Sequence, residues 1–129
     1  MVVAVDFDGT LHNGKWPGIG EPIEGAIPTM QEMQELGVYI VIWTCRSGDL
    51  QTQMVNWLLE NHIPFDRVND NRPSSIEYFQ NNSRKIHADL YIDDRQVGGL
   101  PAWGDIYNHV REAKEAFDKK LGIVIDKTE

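Results

Sequence analysis

Two carboxylates stand two residues apart near the start of the chain, directly after a short apolar run. Asp6 and Asp8 follow Val2–Val5, and Gly9 and Thr10 come next. Residues two apart on a strand share a face, so both carboxylates can approach one cation. Two negative charges at this distance repel each other, so the pair is costly to assemble unless a cation or a reacting phosphoryl group shares the site. The alternative is a strand that ends in a solvated Asp-Gly turn.

More polar residues follow apolar runs later in the chain. Thr44 ends Val-Ile-Trp-Thr, and Asp93 and Asp94 follow Leu90–Ile92. The carboxyl ends of parallel strands meet at one sheet edge, where such sheets bind ligands. Oxygen-only ligation suits Mg²⁺, and no His-rich or Cys-rich spacing competes for Zn²⁺. We therefore predict a Mg²⁺ site at this edge, with the hydroxyl and backbone N–H of Thr44 available to a phosphate oxygen.

The elements that position these residues alternate between short apolar runs and stretches of helical periodicity. This alternation predicts an α/β fold with a doubly wound, Rossmann-like parallel sheet and helices on both faces. The predicted strands are Val2–Val5, Val38–Trp43, Phe65–Val68 and Leu90–Ile92, with Ile123–Ile125 as an edge strand. The predicted helices are Ile27–Leu36, a second from Gly48 or Asp49 to Pro64, one within Pro73–Asn81, and Trp103–Lys120.

Bulk properties limit the classes of function. The chain has 129 residues, a size typical of one domain, and we expect residues 1–129 to form a single domain. The formal net charge of −8 argues against a nucleic-acid polymer or an anionic membrane as partner. No run is long enough to span a bilayer. Cys45 is the only cysteine, which excludes an internal disulfide and fits a reducing cytoplasm.

Four motifs follow one another along the chain: Asp-x-Asp-Gly-Thr, then a Thr, a Lys and an acidic pair. In this series the chain resembles the haloacid dehalogenase (HAD) superfamily of phosphohydrolases over essentially its whole length. Two stretches near the C-terminus, Lys85–Asp94 and Pro101–Trp103, resemble the corresponding part of 5′(3′)-deoxyribonucleotidases. They resemble still more the small bacterial and phage HAD-like hydrolases that have no assigned substrate. Many family members carry the Lys before a Pro, a place that Arg72 takes here, so Arg72 is a second candidate. The residues that match the family series are Asp6, Asp8, Gly9, Thr10, Thr44, Lys85, Asp93 and Asp94.

The resemblance implies hydrolysis of a small phosphomonoester through an aspartyl-phosphate. Asp6 would attack phosphorus, and Asp8 would protonate the leaving oxygen and then deprotonate the hydrolytic water. Mg²⁺ would be bound by Asp6, Asp93 and the backbone carbonyl of Asp8, with Asp94 in an outer or water-mediated position. The phosphoryl oxygens would be held by Thr44 and Lys85.

Substrate contacts are also expected from Gly9, Thr10, Cys45 and Arg46. Cys45 is expected to be a small packing residue beside the site. Arg46, two residues past Thr44, reaches a second anionic group of the substrate or forms a surface salt bridge. Trp16 stacks on a base or a sugar, or it covers the core of its own loop.

The chain is too short to hold the cap with which family members usually select substrates. Between Thr10 and the first helix there is room only for a short flap. The residues between Thr44 and Lys85 are used by a helix, a strand and a turn. A capless, open site implies a macromolecular substrate, weak selectivity, or a neighbouring subunit of a homo-oligomer acting as a lid. The acidity of the chain argues against a nucleic-acid polymer.

Two other classes remain open at this point. A response-regulator receiver domain uses similar residues, but in a different order from the one found here. A catalytically silent phosphate- or partner-binding module could share the fold, although retention of Asp6 and Asp8 argues against it. A cysteine phosphatase is excluded, because the C-x₅-R spacing from Cys45 meets Gln51 instead of an arginine.

Overall fold

The computed structural model describes residues 1–122. In this part of the chain, helices alternate with the strands of one parallel sheet, ordered β3-β2-β1-β4. The predicted α/β fold is confirmed, and the predicted edge strand Ile123–Ile125 lies outside the described residues. The strands are β1 (Val2–Val5), β2 (Tyr39–Ile42), β3 (Arg67–Val68) and β4 (Leu90–Ile92), and the helices are α1 (Ala26–Glu35), α2 (Gly48–Glu60), α3 (Pro73–Phe79) and α4 (Trp103–Lys120).

The four strands end level with one another. Val5 pairs with both Ile42 and Ile92, and Ile42 pairs with Val68. The backbone N–H of Asp6 continues this pattern by donating to the carbonyl of Ile92 at 2.9 Å. The segments that follow the strands therefore leave from one edge of the sheet, as the sequence predicts.

The main core lies on the sheet face that carries Val3, Val5, Ile40 and Ile42. Helices α1, α2 and α4 cover this face because their apolar residues recur every three or four positions along one side. None of the helices within residues 1–122 combines the length and apolarity needed to cross a membrane. The helical residues buried in this core are Ala26, Met30, Met33, Met54, Leu58, Trp103, Ile106 and Val110.

The opposite sheet face has a much thinner cover. Its buried cluster consists of Val2, Val41 and Ile86, and Ile86 belongs to an irregular segment before β4. Helix α3 buries none of its residues, since its polar serines and glutamate give it no continuous apolar side. The prediction of helices on both faces is therefore not confirmed for residues 1–122.

Residues 11–25, the larger part of the segment between β1 and α1, form the short flap that the sequence predicts. Its two arms are joined by backbone hydrogen bonds from Asn13 to Glu21 (3.1 Å) and from Ile23 to Leu11 (2.9 Å). The arms approach so closely that a Cβ on Gly14 would lie 2.3 Å from the backbone nitrogen of Gly20. The flap is thus a small, tightly closed hairpin at the edge where the strands end.

Candidate metal centre and active site

Three carboxylates meet where β1 and β4 end. Asp6, Asp93 and Asp94 each offer one oxygen, and these oxygens all lie within 4.8 Å of one another. The Thr10 hydroxyl lies 3.1 Å from Oδ2 of Asp6 and 3.3 Å from Oδ1 of Asp94, and it accepts the backbone N–H of Asp94 at 3.1 Å. Thr10 is fully buried, so it positions the carboxylates instead of making the substrate contact expected of it.

Gly9 makes room for this cluster. Its backbone has a φ of +78°, and a Cβ at this position would lie 2.3 Å from Oδ2 of Asp94. Any other residue would therefore meet both a strained backbone and a steric clash. Behind the turn, the indole N–H of Trp103 donates to the carbonyl of Thr10 at 3.1 Å, which fixes the turn to the start of α4.

Crowding of the carboxylates changes the acidity of Asp6. Burial, a hydrogen bond with Asp94 and the charge of Asp93 raise the pKa of Asp6 to about 7, against a smaller opposing effect of the Thr10 hydroxyl. Near neutral pH the cluster therefore competes for a proton unless a cation neutralises it. Three carboxylates, without nitrogen or sulfur donors, are a donor set that fits a hard divalent cation such as Mg²⁺.

Asp8 turns its carboxylate toward other partners. It accepts hydrogen bonds from Arg46 Nη2 at 2.7 Å, from Arg46 Nε at 3.0 Å, and from His12 Nε2 at 2.8 Å. Burial raises the pKa of Asp8, but the hydrogen bonds from Arg46 and His12 outweigh burial and hold it below its usual value. The Asp8 side chain is thus an engaged carboxylate, and only its backbone carbonyl remains for the metal-binding role predicted for it.

His12 is a neighbour of the site that no sequence motif singled out. It is fully buried, and its Nδ1 accepts the backbone N–H groups of Gly14 at 2.9 Å and Gly20 at 3.1 Å. An acceptor at Nδ1 places the ring proton on Nε2, so neutral His12 donates to Asp8. The sequence signal that could have identified His12 is its position four residues after Asp8, in a flap rich in glycine.

Arg46 is buried, with an exposed fraction of 1%, so neither role predicted for it, a surface salt bridge or a substrate contact, is found. Besides Asp8, its Nη2 contacts the carbonyls of Pro17 at 2.9 Å and Gly18 at 3.4 Å. Asp8 supplies the paired charge that a buried guanidinium needs and the two carbonyls add hydrogen bonds, whereas the buried Nη1 of Arg46 has no hydrogen-bond partner within residues 1–122. Arg46 therefore joins the flap to the Asp8 carboxylate.

Thr44 stands at the predicted strand end, but both of its backbone polar groups are occupied and its hydroxyl oxygen already accepts one hydrogen bond. The side chain of Asn69, the residue after β3, binds the backbone of Thr44 on both sides, accepting its N–H at 2.7 Å and donating to its carbonyl at 2.8 Å. The Thr44 hydroxyl accepts the backbone N–H of Arg46 at 3.1 Å. Thr44 and Asn69 thus shape the turn that sends Arg46 inward, and the backbone N–H expected to bind phosphate is not available here.

Neither cation predicted to bind phosphate faces the acidic cluster. Lys85 is exposed, and its Nζ lies 5.3 Å from the ring centroid of Tyr91, on the thinly covered sheet face. Arg72 lies 4.9 Å from the ring centroid of Tyr39, at the start of β2 and so at the opposite edge of the sheet.

A cavity of about 540 Å³ adjoins the cluster, a volume in the range of small-molecule sites. The flap contributes one part of its lining, and the segment after β4 contributes another, including Arg95. Cys45 is exposed here, whereas the sequence predicted a packing role for it. The lining residues are Asp6, Asp8, Gly9, Gly14, Trp16, Cys45, Asp93, Asp94 and Arg95.

Among solved structures, one similar chain is a conserved protein from Bacteroides thetaiotaomicron. The two sequences are 40% identical, the TM-score is 0.79, and the alignment covers 88% of this chain and 91% of that chain. This chain belongs to the same family as that conserved protein. The sequence matches no catalogued family description and no curated protein.

A second similar chain comes from the structure of the Pnkp1/Rnl/Hen1 RNA repair complex. It is 18% identical with a TM-score of 0.53, and the alignment covers 74% of this chain but only 36% of that chain. At this level of identity the likeness shows a shared fold alone.

Substitution of Gly9 by alanine should disrupt the acidic cluster. The added Cβ would displace the Asp94 carboxylate, so we expect Mg²⁺ affinity, measured by titration calorimetry, to fall at least about 10-fold. Gly37→Ala is a matched control, because Gly37 has a similar φ of +82° with nothing within 4 Å of an added Cβ. Equal losses of Mg²⁺ affinity in the two variants would contradict a role for steric clash at Gly9.

Binding of Mg²⁺ should be linked to release of a proton from the cluster. The folded pKa of Asp6 is about 7 and its unfolded pKa is about 3.9, so its contribution to stability is present at low pH and is lost as pH rises through about 7. Because Mg²⁺ must displace this proton at pH 6 but not at pH 8, Mg²⁺ should raise Tm more at pH 8. Thermal denaturation at matched ionic strength measures the difference, and a larger gain at pH 6 would contradict it.

Proposed function

We propose that this protein is a Mg²⁺-dependent phosphomonoester hydrolase of the HAD type that acts through Asp6. The observation that supports the proposal is the cluster of three carboxylates, one of them at the end of a buried central strand and beside a small-molecule cavity. Carboxylates gathered in this way repel a phosphate unless a divalent cation is bound between them. A cluster of this composition next to a cavity therefore suits phosphoryl transfer.

The cation would be held by Asp6 and Asp93, with Asp94 and the backbone carbonyl of Asp8 beside them. When bound, it would offset the repulsion between the nucleophile and the phosphate and stabilise charge in the transition state. An Asp6 carboxylate oxygen attacks phosphorus, forming a new O–P bond while the bond to the ester oxygen breaks. Water then attacks the aspartyl-phosphate, which releases inorganic phosphate and restores Asp6.

Asp8 is best suited to the second of these steps. Its contacts with Arg46 and His12 keep it ionised, and an ionised carboxylate accepts a proton from the attacking water. In the next turnover Asp8 gives this proton to the leaving oxygen, so the proton taken up in the second step is returned in the first step of the following cycle. The same contacts disfavour the protonated form of Asp8, so substrates whose leaving oxygen needs little protonation should react fastest.

Arg95 takes the phosphate-binding role that the sequence assigned to Lys85 or Arg72. It lines the cavity directly after the acidic pair, and its guanidinium forms no hydrogen bond or ion pair within residues 1–122. An arginine fork matches two phosphate oxygens at once. The substrate is small and phosphorylated, in keeping with the cavity volume, and residues 1–122 place no cap over the site. A cytoplasmic location and a lid formed by a neighbouring subunit belong to the same proposal.

Loss of the nucleophile should abolish turnover. We expect Mg²⁺-dependent phosphate release from an aryl phosphate by the unmodified protein and a loss of at least about 1,000-fold in Asp6→Asn. Asp105→Asn, which removes an exposed carboxylate in the first turn of α4, should retain full activity. Equal activity in Asp6→Asn and the unmodified protein would refute the nucleophile assignment.

A covalent trap separates the proposal from its two rivals. Borohydride reduction during turnover should convert Asp6 to homoserine, which peptide mass analysis detects. Stable phosphorylation by a small phosphodonor without turnover would favour a receiver-like phosphoacceptor. Retained Mg²⁺ binding with no turnover on a panel of phosphorylated metabolites would favour a catalytically silent binding module.

Removal of the Arg95 guanidinium should weaken substrate binding more than it slows the chemical step. A hydrogen bond to a charged group contributes about 1.5–3 kcal/mol, so Arg95→Ala should raise KM for an aryl phosphate at least about 10-fold. Lys85→Ala should leave KM unchanged, because Lys85 lies outside the cavity. Steady-state kinetics distinguish the two variants, and the opposite ranking would restore Lys85 as the phosphate-binding residue.

A further inference from the structure

Trp16 is an exposed aromatic side chain in the same cavity as the acidic cluster. Its exposed fraction is 53%, and it lines the cavity together with Asp6 and Asp8. Trp16 belongs to neither buried core cluster and is not among the partly buried residues packed against them. Burial of the indole in the protein core therefore does not explain its position.

The indole of Trp16 is fixed in place from one side. The guanidinium carbon of Arg46 lies 4.9 Å from the centroid of the Trp16 ring. Arg46 also donates to the carbonyls of Pro17 and Gly18, the two residues that follow Trp16, and to the carboxylate of Asp8. A ring that stacks on a buried cation, in a flap segment tied to that same cation, loses little freedom when a ligand stacks on its exposed surface.

The cavity lining around Trp16 offers little to a polyhydroxylated ligand. Apart from its charged residues, the cavity is lined by Gly9, Gly14, Trp16 and Cys45, and none of these four carries an amide or hydroxyl side chain. Sugar hydroxyls placed there would lose hydrogen bonds to water without replacement. A planar aromatic ring needs no such partners and gains from stacking on the indole.

We propose that Trp16 is a stacking surface for a planar aromatic ring of the substrate, which makes the substrate an aryl or nucleobase-containing phosphomonoester. The proposal rests on the proposed function for the phosphate end of the ligand. The phosphate lies at the acidic cluster and Arg95, and the ring lies against Trp16. The cavity volume of about 540 Å³ accommodates both parts of such a ligand.

The test compares two ligands that differ only in the aromatic ring. Adenosine 5′-monophosphate and ribose 5-phosphate are titrated with Mg²⁺ into Asp6→Asn protein, which binds without turnover. Stacking on an aromatic side chain should make the nucleotide bind about 10-fold more tightly than the sugar phosphate. In Asp6→Asn/Trp16→Ala this advantage should disappear, and in Asp6→Asn/Trp16→Phe most of it should remain.

Ribose 5-phosphate affinity is the internal control for the fold of each variant and should be the same in all of them. Tyr78→Ala removes an aromatic ring with an exposed fraction of 81% outside the cavity, and it should change neither affinity. A parallel pair, phenyl phosphate and glycerol phosphate, identifies the type of ring. Trp16-dependent preference for phenyl phosphate indicates any aryl group, and preference for the nucleotide alone indicates a nucleobase.

The outcomes separate this proposal from the proposed function. Equal binding of both ligands in each pair, with turnover intact in the unmodified protein, would overturn the stacking role and leave the hydrolase. Trp16-dependent binding of an aromatic ligand without turnover would support the stacking role and count against the hydrolase. Absence of binding by all four phosphates, together with absence of turnover in the unmodified protein, would overturn both.

Discussion

Repulsion among three carboxylates at one sheet edge is the constraint on which the surrounding structure depends. The strands place the three groups together because β1 and β4 are neighbours that end at the same level. Gly9 leaves the space that the Asp94 carboxylate occupies, and the Thr10 hydroxyl binds two of the three acids. Trp103 then anchors this turn to α4. Like charges tend to move apart, and each of these contacts holds the three carboxylates together against that repulsion.

The fourth carboxylate is kept out of this repulsion by a separate set of contacts. Arg46 neutralises Asp8 and, together with His12, orients it, so its charge adds little to the cluster a short distance away. The same arginine holds the flap, which couples the position of Trp16 to the ionisation of Asp8. The stacking role proposed for Trp16 and the proton-transfer role proposed for Asp8 would thus share one buried cation, because Arg46 contacts both residues.

The two faces of the sheet are covered to different extents, and the site lies at the ends of the strands. Helices α1, α2 and α4 cover one sheet face, and a short irregular segment covers the other. Within residues 1–122, the flap is the element that stands over the edge where the strands end. A ligand in the adjoining cavity would therefore meet a few flap and turn residues.

The sequence by itself determined the succession of strands and helices along the chain and, to within one residue, where each strand ends. Apolar runs and helical spacing carry that information locally, so Asp6, Asp93 and Asp94 were placed correctly at one edge. The pairing of Asp8 with His12 and Arg46, and the distance of Lys85 from the cluster, followed only from the tertiary structure. The path of the flap brings residues distant in sequence into contact, and the side chain directions after each strand depend on turn geometry. Neither property is encoded in the spacing of one residue from the next, so only the folded chain decides which cation meets which acid.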